Sequence, residues 1–348
     1  MRLRADMSAP VLRATLVLMA GLAGGYVFVL LHLPLPWTLG AMTAAGILAT
    51  FHPALVLPPV FRDGARPVIG VVAGSAFAPE VVAQMGDWWP IFVLLVLFFL
   101  GVTGVGILFF RRLGFDRQTA LFAAMPGGMG EMAMLGMQFG ADIRKLVLVH
   151  AVRQITVVTV VPFAIGHLLA RHGGAMPAGH VQPPAGADWA VLLGCVVAGM
   201  AIGRRLRGFG GLMLVPLTLS ALAHGTGLTT AQIPYWIVAL MQVMIGSITG
   251  ARFAGLRMAD ARGTLLAGLV WVVILLALSA VLALVMGRIM AQSPAALFLA
   301  LAPGGFSEMI VIAYASGVEV AFVVTCHAFR TIYIMLVSPL LSRLNGAK

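Results

Sequence analysis

Apolar runs follow one another along almost the whole chain, divided by short loops that hold most of the arginines. Read as helices, they fall near residues 11–31, 36–52, 65–80, 88–110, 118–139 and 142–170, and again near 189–203, 210–224, 233–253, 263–288, 294–316 and 318–342. Only 9% of the residues are charged and 61% are hydrophobic, whereas a soluble domain carries roughly 25% charged residues. A water-soluble fold has no polar cover for that much apolar surface, so the bilayer is the solvent to which these helices are matched. The expected class is an all-α integral membrane protein.

The net charge of +11 would suggest nucleic acid in a soluble protein. Here the arginines sit in short loops between apolar runs, the pattern of basic cytoplasmic loops that orient membrane helices. Direct contact with nucleic acid is not expected. Cys195 and Cys326 both lie within apolar segments, and no Cys/His spacing suits a disulfide framework or zinc. No P-loop, dinucleotide fingerprint or nucleophile motif occurs, and no cofactor is expected.

The chain is internally duplicated. At an offset of 177 residues, 121–155 matches 298–332 at 12 positions, among them Pro126/Pro303, Gly127/Gly304, Gly128/Gly305, Glu131/Glu308, Met132/Met309, Gly140/Gly317, His150/His327 and Arg153/Arg330. A second stretch matches at offset 176, through Gly70/Gly246 and Gly74/Gly250. This gives a first membrane repeat over 1–171, a Pro/Gly-rich polar linker over 172–188, and a second repeat over 189–348.

Arginine placement sets the expected topology. If all twelve runs crossed, Arg204, Arg205, Arg207, Arg252, Arg257 and Arg262 would face outside, against the positive-inside rule. If the two Pro-Gly-Gly segments are re-entrant or cross only as broken pieces, 18 of the 22 basic residues lie inside, Arg171 and Arg288 lie outside, and Arg153 and Arg330 lie within spans. The expectation is therefore about ten transmembrane helices plus two broken segments. The N-terminus is cytoplasmic, the setting is a bacterial-type inner membrane, and the halves are inverted, a recurring plan among secondary transporters.

The chemistry centres on Ala-Met-Pro-Gly-Gly-Met-Gly-Glu-Met (124–132) and Leu-Ala-Pro-Gly-Gly-Phe-Ser-Glu-Met (301–309). Proline removes a backbone donor and glycine weakens a helix, so a break at membrane depth is expected. Such a break is tolerated only inside protein or along a cavity. The restarting helix offers free N–H groups to an anion or a carboxylate; the alternative is a packing kink. Glu131 and Glu308 carry a charge that is costly within a bilayer. They suit proton or cation coupling, or else a structural pair. His150 and Arg153, like His327 and Arg330, share one helix face a turn apart, and the glutamates are the expected partners of the arginines. Asp142 and Glu319 start those helices and suit their positive ends. The candidate solute- or ion-binding set is Pro126, Gly127, Gly128, Glu131, His150, Arg153, Pro303, Gly304, Gly305, Ser307, Glu308, His327 and Arg330. The small-xxx-small pairs Gly70/Gly74 and Gly246/Gly250 read as close helix contacts.

Two copies of Pro-Gly-Gly-x-x-Glu-Met, each followed by His-x-x-Arg, resemble the AbrB-duplication membrane protein family, whose members are labelled AbrB family transcriptional regulators or ammonia monooxygenases. The resemblance covers nearly the whole chain. It implies a layout like that of the cation/proton antiporter and anion transporter group, with inverted repeats and crossing broken helices. Glu131 and Glu308 stand where bile-acid carriers of that group have small polar residues, which argues against sodium coupling. The regulator label implies an effect on gene expression without DNA contact. The monooxygenase label finds little support, because a copper or iron site wants clustered histidines and carboxylates. The partners this reading allows are the lipid bilayer, an unidentified small solute, a proton or cation, and a second copy of the chain.

Overall fold

The computed structural model describes residues 2–52, 55, 57–172, 184–206, 210–251 and 258–346. Most of the expected polar linker, along with Arg207, Arg252, Arg257 and Lys348, lies outside the described residues. Among the described residues the structure is all helical. The first half of the chain gives α1 (Arg2–Leu30), α2 (Pro36–Phe51), α3 (Pro59–Gly74), α4 (Pro79–Gln84), α5 (Trp89–Arg112), α6 (Arg117–Ala124), α7 (Met129–Gln138) and α8 (Ile143–His172), with a short 3-10 turn before α5. The second half gives α9 (Gly186–Gly203), α10 (Gly211–Gly225), α11 (Tyr235–Gly250), α12 (Met258–Met286), α13 (Pro294–Leu301), α14 (Phe306–Ser316) and α15 (Val320–Gly346).

Among the described residues six stretches are long and apolar enough to cross a membrane: Leu12–Leu30, Pro79–Arg112, Ile143–Gly166, Gly186–Gly203, Arg262–Met286 and Val320–Leu344. The helices α2, α10 and α11 are apolar but shorter, at 15 or 16 residues. At 1.5 Å per residue each rises only about 24 Å, less than the ~30 Å hydrocarbon core. Large apolar side chains such as Leu97, Leu108, Val197 and Val273 point outward, more than half exposed. In lipid that exposure costs nothing.

Helix starts follow local chemistry. Proline occupies the first turn of α2, α3, α4 and α13, where its missing N–H has no helical partner anyway. Asp116 caps α6 by accepting from the Thr119 N–H at 2.9 Å, and Ser293, its repeat counterpart, caps α13 through the Ala296 N–H at 3.2 Å. Gly140 and Gly317, also counterparts, follow α7 and α14 with φ of 77° and 62°. Only glycine adopts that left-handed bend without strain.

The chain packs as two compact units, and each draws on both sequence halves. One holds α1–α3 with α9–α11; the other holds α4–α8 with α12–α15. In the first unit, α11 lies against α2, and α3 against α9 and α10. A Cβ on Gly70 would lie 2.6 Å from the Met213 carbonyl oxygen, and one on Gly74 2.5 Å from that of Leu217. Gly246 and Gly250 press on the α2 backbone at Thr38 and Met42 in the same way. These four glycines are the small-xxx-small pairs of the sequence, and the contact is backbone on backbone. Lipid tails give no hydrophobic drive to bring helices together, so such close packing supplies the attraction.

In the second unit, Trp271 of α12 sits in an aromatic nest with Phe109 and Phe110 of α5, at centroid distances of 5.6 and 5.8 Å. Leu121, Phe122, Leu146 and Ile334 complete that core. Gly106 on α5 leaves the space into which the Trp271 ring edge fits, 2.6 Å from where a Cβ would stand.

Replacing Gly70 or Gly250 by valine should lower the thermal unfolding midpoint of the detergent-purified protein, equivalent to about 1–3 kcal/mol per site. Gly101, which has open space around its missing Cβ, should tolerate the same change with little loss.

Candidate functional site

The helix pairs α6–α7 and α13–α14 are each interrupted where the Pro-Gly-Gly motifs stand. The gap spans Met125–Gly128 in the first copy and Ala302–Gly305 in the second. Both breaks lie in the second unit, beside the long helices α8 and α15. Each break exposes two backbone poles: the carbonyls that end the first piece and the N–H groups that begin the second.

The carbonyl pole is closed from the neighbouring long helix. His150 Nε2 lies 3.1 Å from the Phe122 oxygen, and Arg153 donates Nη1 to the Met125 oxygen at 3.2 Å and Nη2 to that of Gly127. In the second copy, His327 Nε2 lies 2.9 Å from the Leu299 oxygen, while Arg330 donates to Ala302 and Gly304 at 2.8 and 2.6 Å. The His-x-x-Arg spacing is thus a ruler. Three residues are about one helical turn on α8, and the carbonyls they reach are about one turn apart on the broken helix. A carbonyl only accepts, so Nε2 of each histidine carries the proton. The other ring nitrogens, His150 Nδ1 and His327 Nδ1, are buried without a hydrogen-bond partner among the described residues.

The N–H pole is closed from within the motif. Gly128 and Gly305 are the N-cap residues of α7 and α14, with ordinary extended φ of −65° and −71°. Their glycine identity therefore comes from space, not from backbone conformation. A Cβ on Gly128 would collide with the Glu131 carboxylate, and one on Gly305 with that of Glu308. Each glutamate, at the third helical position, folds back over the start of its own helix. A negative charge is stabilised there by the positive end of the helix. The first glycine of each motif is explained in the same way. A Cβ on Gly127 would lie 2.7 Å from Met132 Sδ, and one on Gly304 2.6 Å from Met309 Sδ. The sequence Pro-Gly-Gly-x-x-Glu-Met therefore breaks the helix, seats the methionine on the first glycine and seats the carboxylate on the second.

Each break thus carries a cation at its negative pole and an anion at its positive pole. Glu308 is buried at 5% exposure and accepts from Gln154 Nε2 of α8 and from Ser307 Oγ at 2.9 Å. Arg330 also feels the charges of Glu308 and of Arg153. The hydrogen bonds seen at Arg330 run to the backbone, where sequence reasoning expected a glutamate partner. Glu131 is half-buried.

Asp142 and Glu319 sit at the starts of α8 and α15 as expected. The Asp142 carboxylate accepts from the Arg144 and Lys145 N–H groups, and its own N–H donates to Thr119 Oγ1 at 2.7 Å. Glu319 accepts from the Ser293 N–H and hydroxyl at 3.0 and 2.8 Å. Both tie the start of a long helix to the start of the adjacent broken one. Gln154 is the site residue that sequence reasoning passed over. It has no counterpart at the matching position, where Thr331 stands, so repetition gave no signal. Its place beside Arg153 was the clue. Among the described residues no group of three His, Cys, Asp or Glu side chains is arranged to hold a metal ion.

A family model described as "Transition state regulatory protein AbrB" matches residues 37–345. The chain belongs to the AbrB family. It is 26% identical to the Escherichia coli (strain K12) protein named "Putative regulator AbrB" over 336 residues, covering 96% of this chain and 97% of that one. It is 24% identical to the Bacillus subtilis (strain 168) protein named "Uncharacterized protein YhjN" over 354 residues, covering 94% and 92%. No solved structure matches it.

In this AbrB-family chain the arginine caps make a direct prediction. Arg330→Met takes the side-chain cap from the buried Gly304 carbonyl, at about 1–3 kcal/mol, and leaves that of Ala302 only the Gly304 N–H. The thermal midpoint in detergent should fall markedly, and Arg330→Lys should recover part of the loss.

Proposed function

We propose that the protein is a secondary-carrier-like membrane protein that moves a small solute past paired broken helices. Glu131 and Glu308 are the acids of its site. The observation that carries this reading is the repeated break with both poles neutralised, in a unit where α14 packs on α8 and α7 on α15 across the repeats. Irregular backbone at membrane depth belongs in protein or along a cavity, and carriers place it at the solute site. Because each positive pole is occupied by the chain's own carboxylate, a solute anion can take that pole only when the glutamate is protonated or displaced. Proton coupling follows naturally.

In this reading about ten helices span an inner membrane, with the N-terminus cytoplasmic and the two halves inverted. Loop charge supports the inversion. Arg111, Arg112, Arg117, Arg144 and Lys145 have as counterparts Arg288, Ile289, Pro294, Ala321 and Phe322. Five cations are matched by one, as expected for equivalent loops on opposite faces. A regulatory role is the second reading, favoured by the name of the E. coli relative; a bound solute would then alter gene expression indirectly.

Solute and proton flux in proteoliposomes tests the carrier role. Glu131→Gln should abolish proton-coupled uptake and Glu308→Gln should lower it, and uptake equal to the parent in both would remove the carboxylates from the mechanism. Topology has its own check. Cys195 and Cys326 are buried, so background labelling is low. A membrane-impermeant thiol reagent should reach Arg112→Cys only from the cytoplasmic side and Ile289→Cys only from the other.

A further inference from the structure

The two copies of the motif are not equivalent, and the difference lies in the donors to the carboxylate. Glu308 accepts from Gln154 of the opposite repeat and from Ser307 of its own motif. At the 177-residue offset the corresponding positions around Glu131 are Thr331 and Gly130. Gly130 has no hydroxyl. The Thr331 hydroxyl donates instead to the His327 carbonyl of its own helix at 2.9 Å. Burial follows the same division: Glu308 and Gln154 are 5% and 6% exposed, whereas Glu131 is half-buried. Gly305 keeps the approach open, since Gln154 Nε2 lies 3.2 Å from where its Cβ would stand.

We propose that Gln154 is a positioning residue that, with Ser307, locks Glu308 in place across the repeats and leaves Glu131 as the carboxyl that exchanges protons. The duplicated acids have divided their work. Glu308 ties α14 to α8 and holds one break shut. Glu131, without either donor, changes protonation as solute enters. This assignment rests on the carrier reading for its role in transport, but the chemical difference between the two acids does not.

Dicyclohexylcarbodiimide reacts with protonated carboxyls in apolar surroundings, so labelling of each glutamate, mapped by mass spectrometry on the detergent-purified full chain without solute, reads the asymmetry directly. In the parent, Glu131 should label severalfold faster than Glu308, whose carboxylate oxygens are held by Gln154 and Ser307. Ser307→Gly together with Gln154→Thr gives the second copy the pattern of the first. Glu308 labelling should then rise towards the Glu131 rate, while Glu131 labelling stays unchanged and reports that the fold is intact. Ser307→Gly alone should give a smaller rise. Equal rates for the two acids in the parent, or a Glu308 rate unmoved in the variants, would overturn the assignment. If the double variant does not fold, the parent ratio and the single variant still decide. A failure of flux with the labelling asymmetry present would count against the carrier reading alone.

Discussion

Everything in the second unit depends on one requirement: a helix broken inside an apolar medium must have its loose backbone groups satisfied by the protein itself. Water is not there to do it, and each unsatisfied group costs several kcal/mol in hydrocarbon. Arg153 and Arg330 meet this requirement by donating to two carbonyls apiece just past the ends of α6 and α13. The glutamates meet it at the other pole. A buried arginine and a buried glutamate would each be costly alone. Set on the poles of the same break, each lies where the backbone dipole favours its charge.

This arrangement gives the motif a reason for every position. Proline and the two glycines make the break; methionine and glutamate then fill the space the glycines leave. Histidine and arginine are spaced to reach carbonyls one turn apart. Because both poles are closed from within, the site as it stands is electrically balanced. On the carrier reading, a charged solute would have to displace or neutralise something on entering, which would link its movement to a proton. The asymmetry between Gln154 with Ser307 and Thr331 with Gly130 shows how duplicated sequences can keep a scaffold while their acids come to differ.

Much of this was legible from the residues. The apolar runs, the duplication and the two breaks were visible because they depend on local rules: charge is excluded from lipid, and proline with paired glycine stops a helix. The role of Asp142 was legible for the same reason, since a carboxylate at a helix start answers to the adjacent N–H groups; that of Glu319 was not, since its carboxylate accepts from Ser293 at the start of another helix. The carbonyl acceptors of the arginines were not. Sequence reasoning looked for an opposite charge, and the residues that repeat alongside Arg153 and Arg330 include glutamates. Backbone carbonyls carry no letter in a sequence, so a guanidinium that caps them leaves no trace except its spacing to histidine.

The sequence by itself determined that this chain carries apolar helices suited to a bilayer, that it is built twice, and where its helices must break, because those properties follow from composition and from the backbone limits of proline and glycine. Only the tertiary structure decided that the carboxylates fold onto their own helix ends, that glycine makes room for them at an ordinary φ, and that Gln154 reaches Glu308 across 154 residues of chain. Those are matters of which surfaces meet, and two surfaces meet only once the helices have packed.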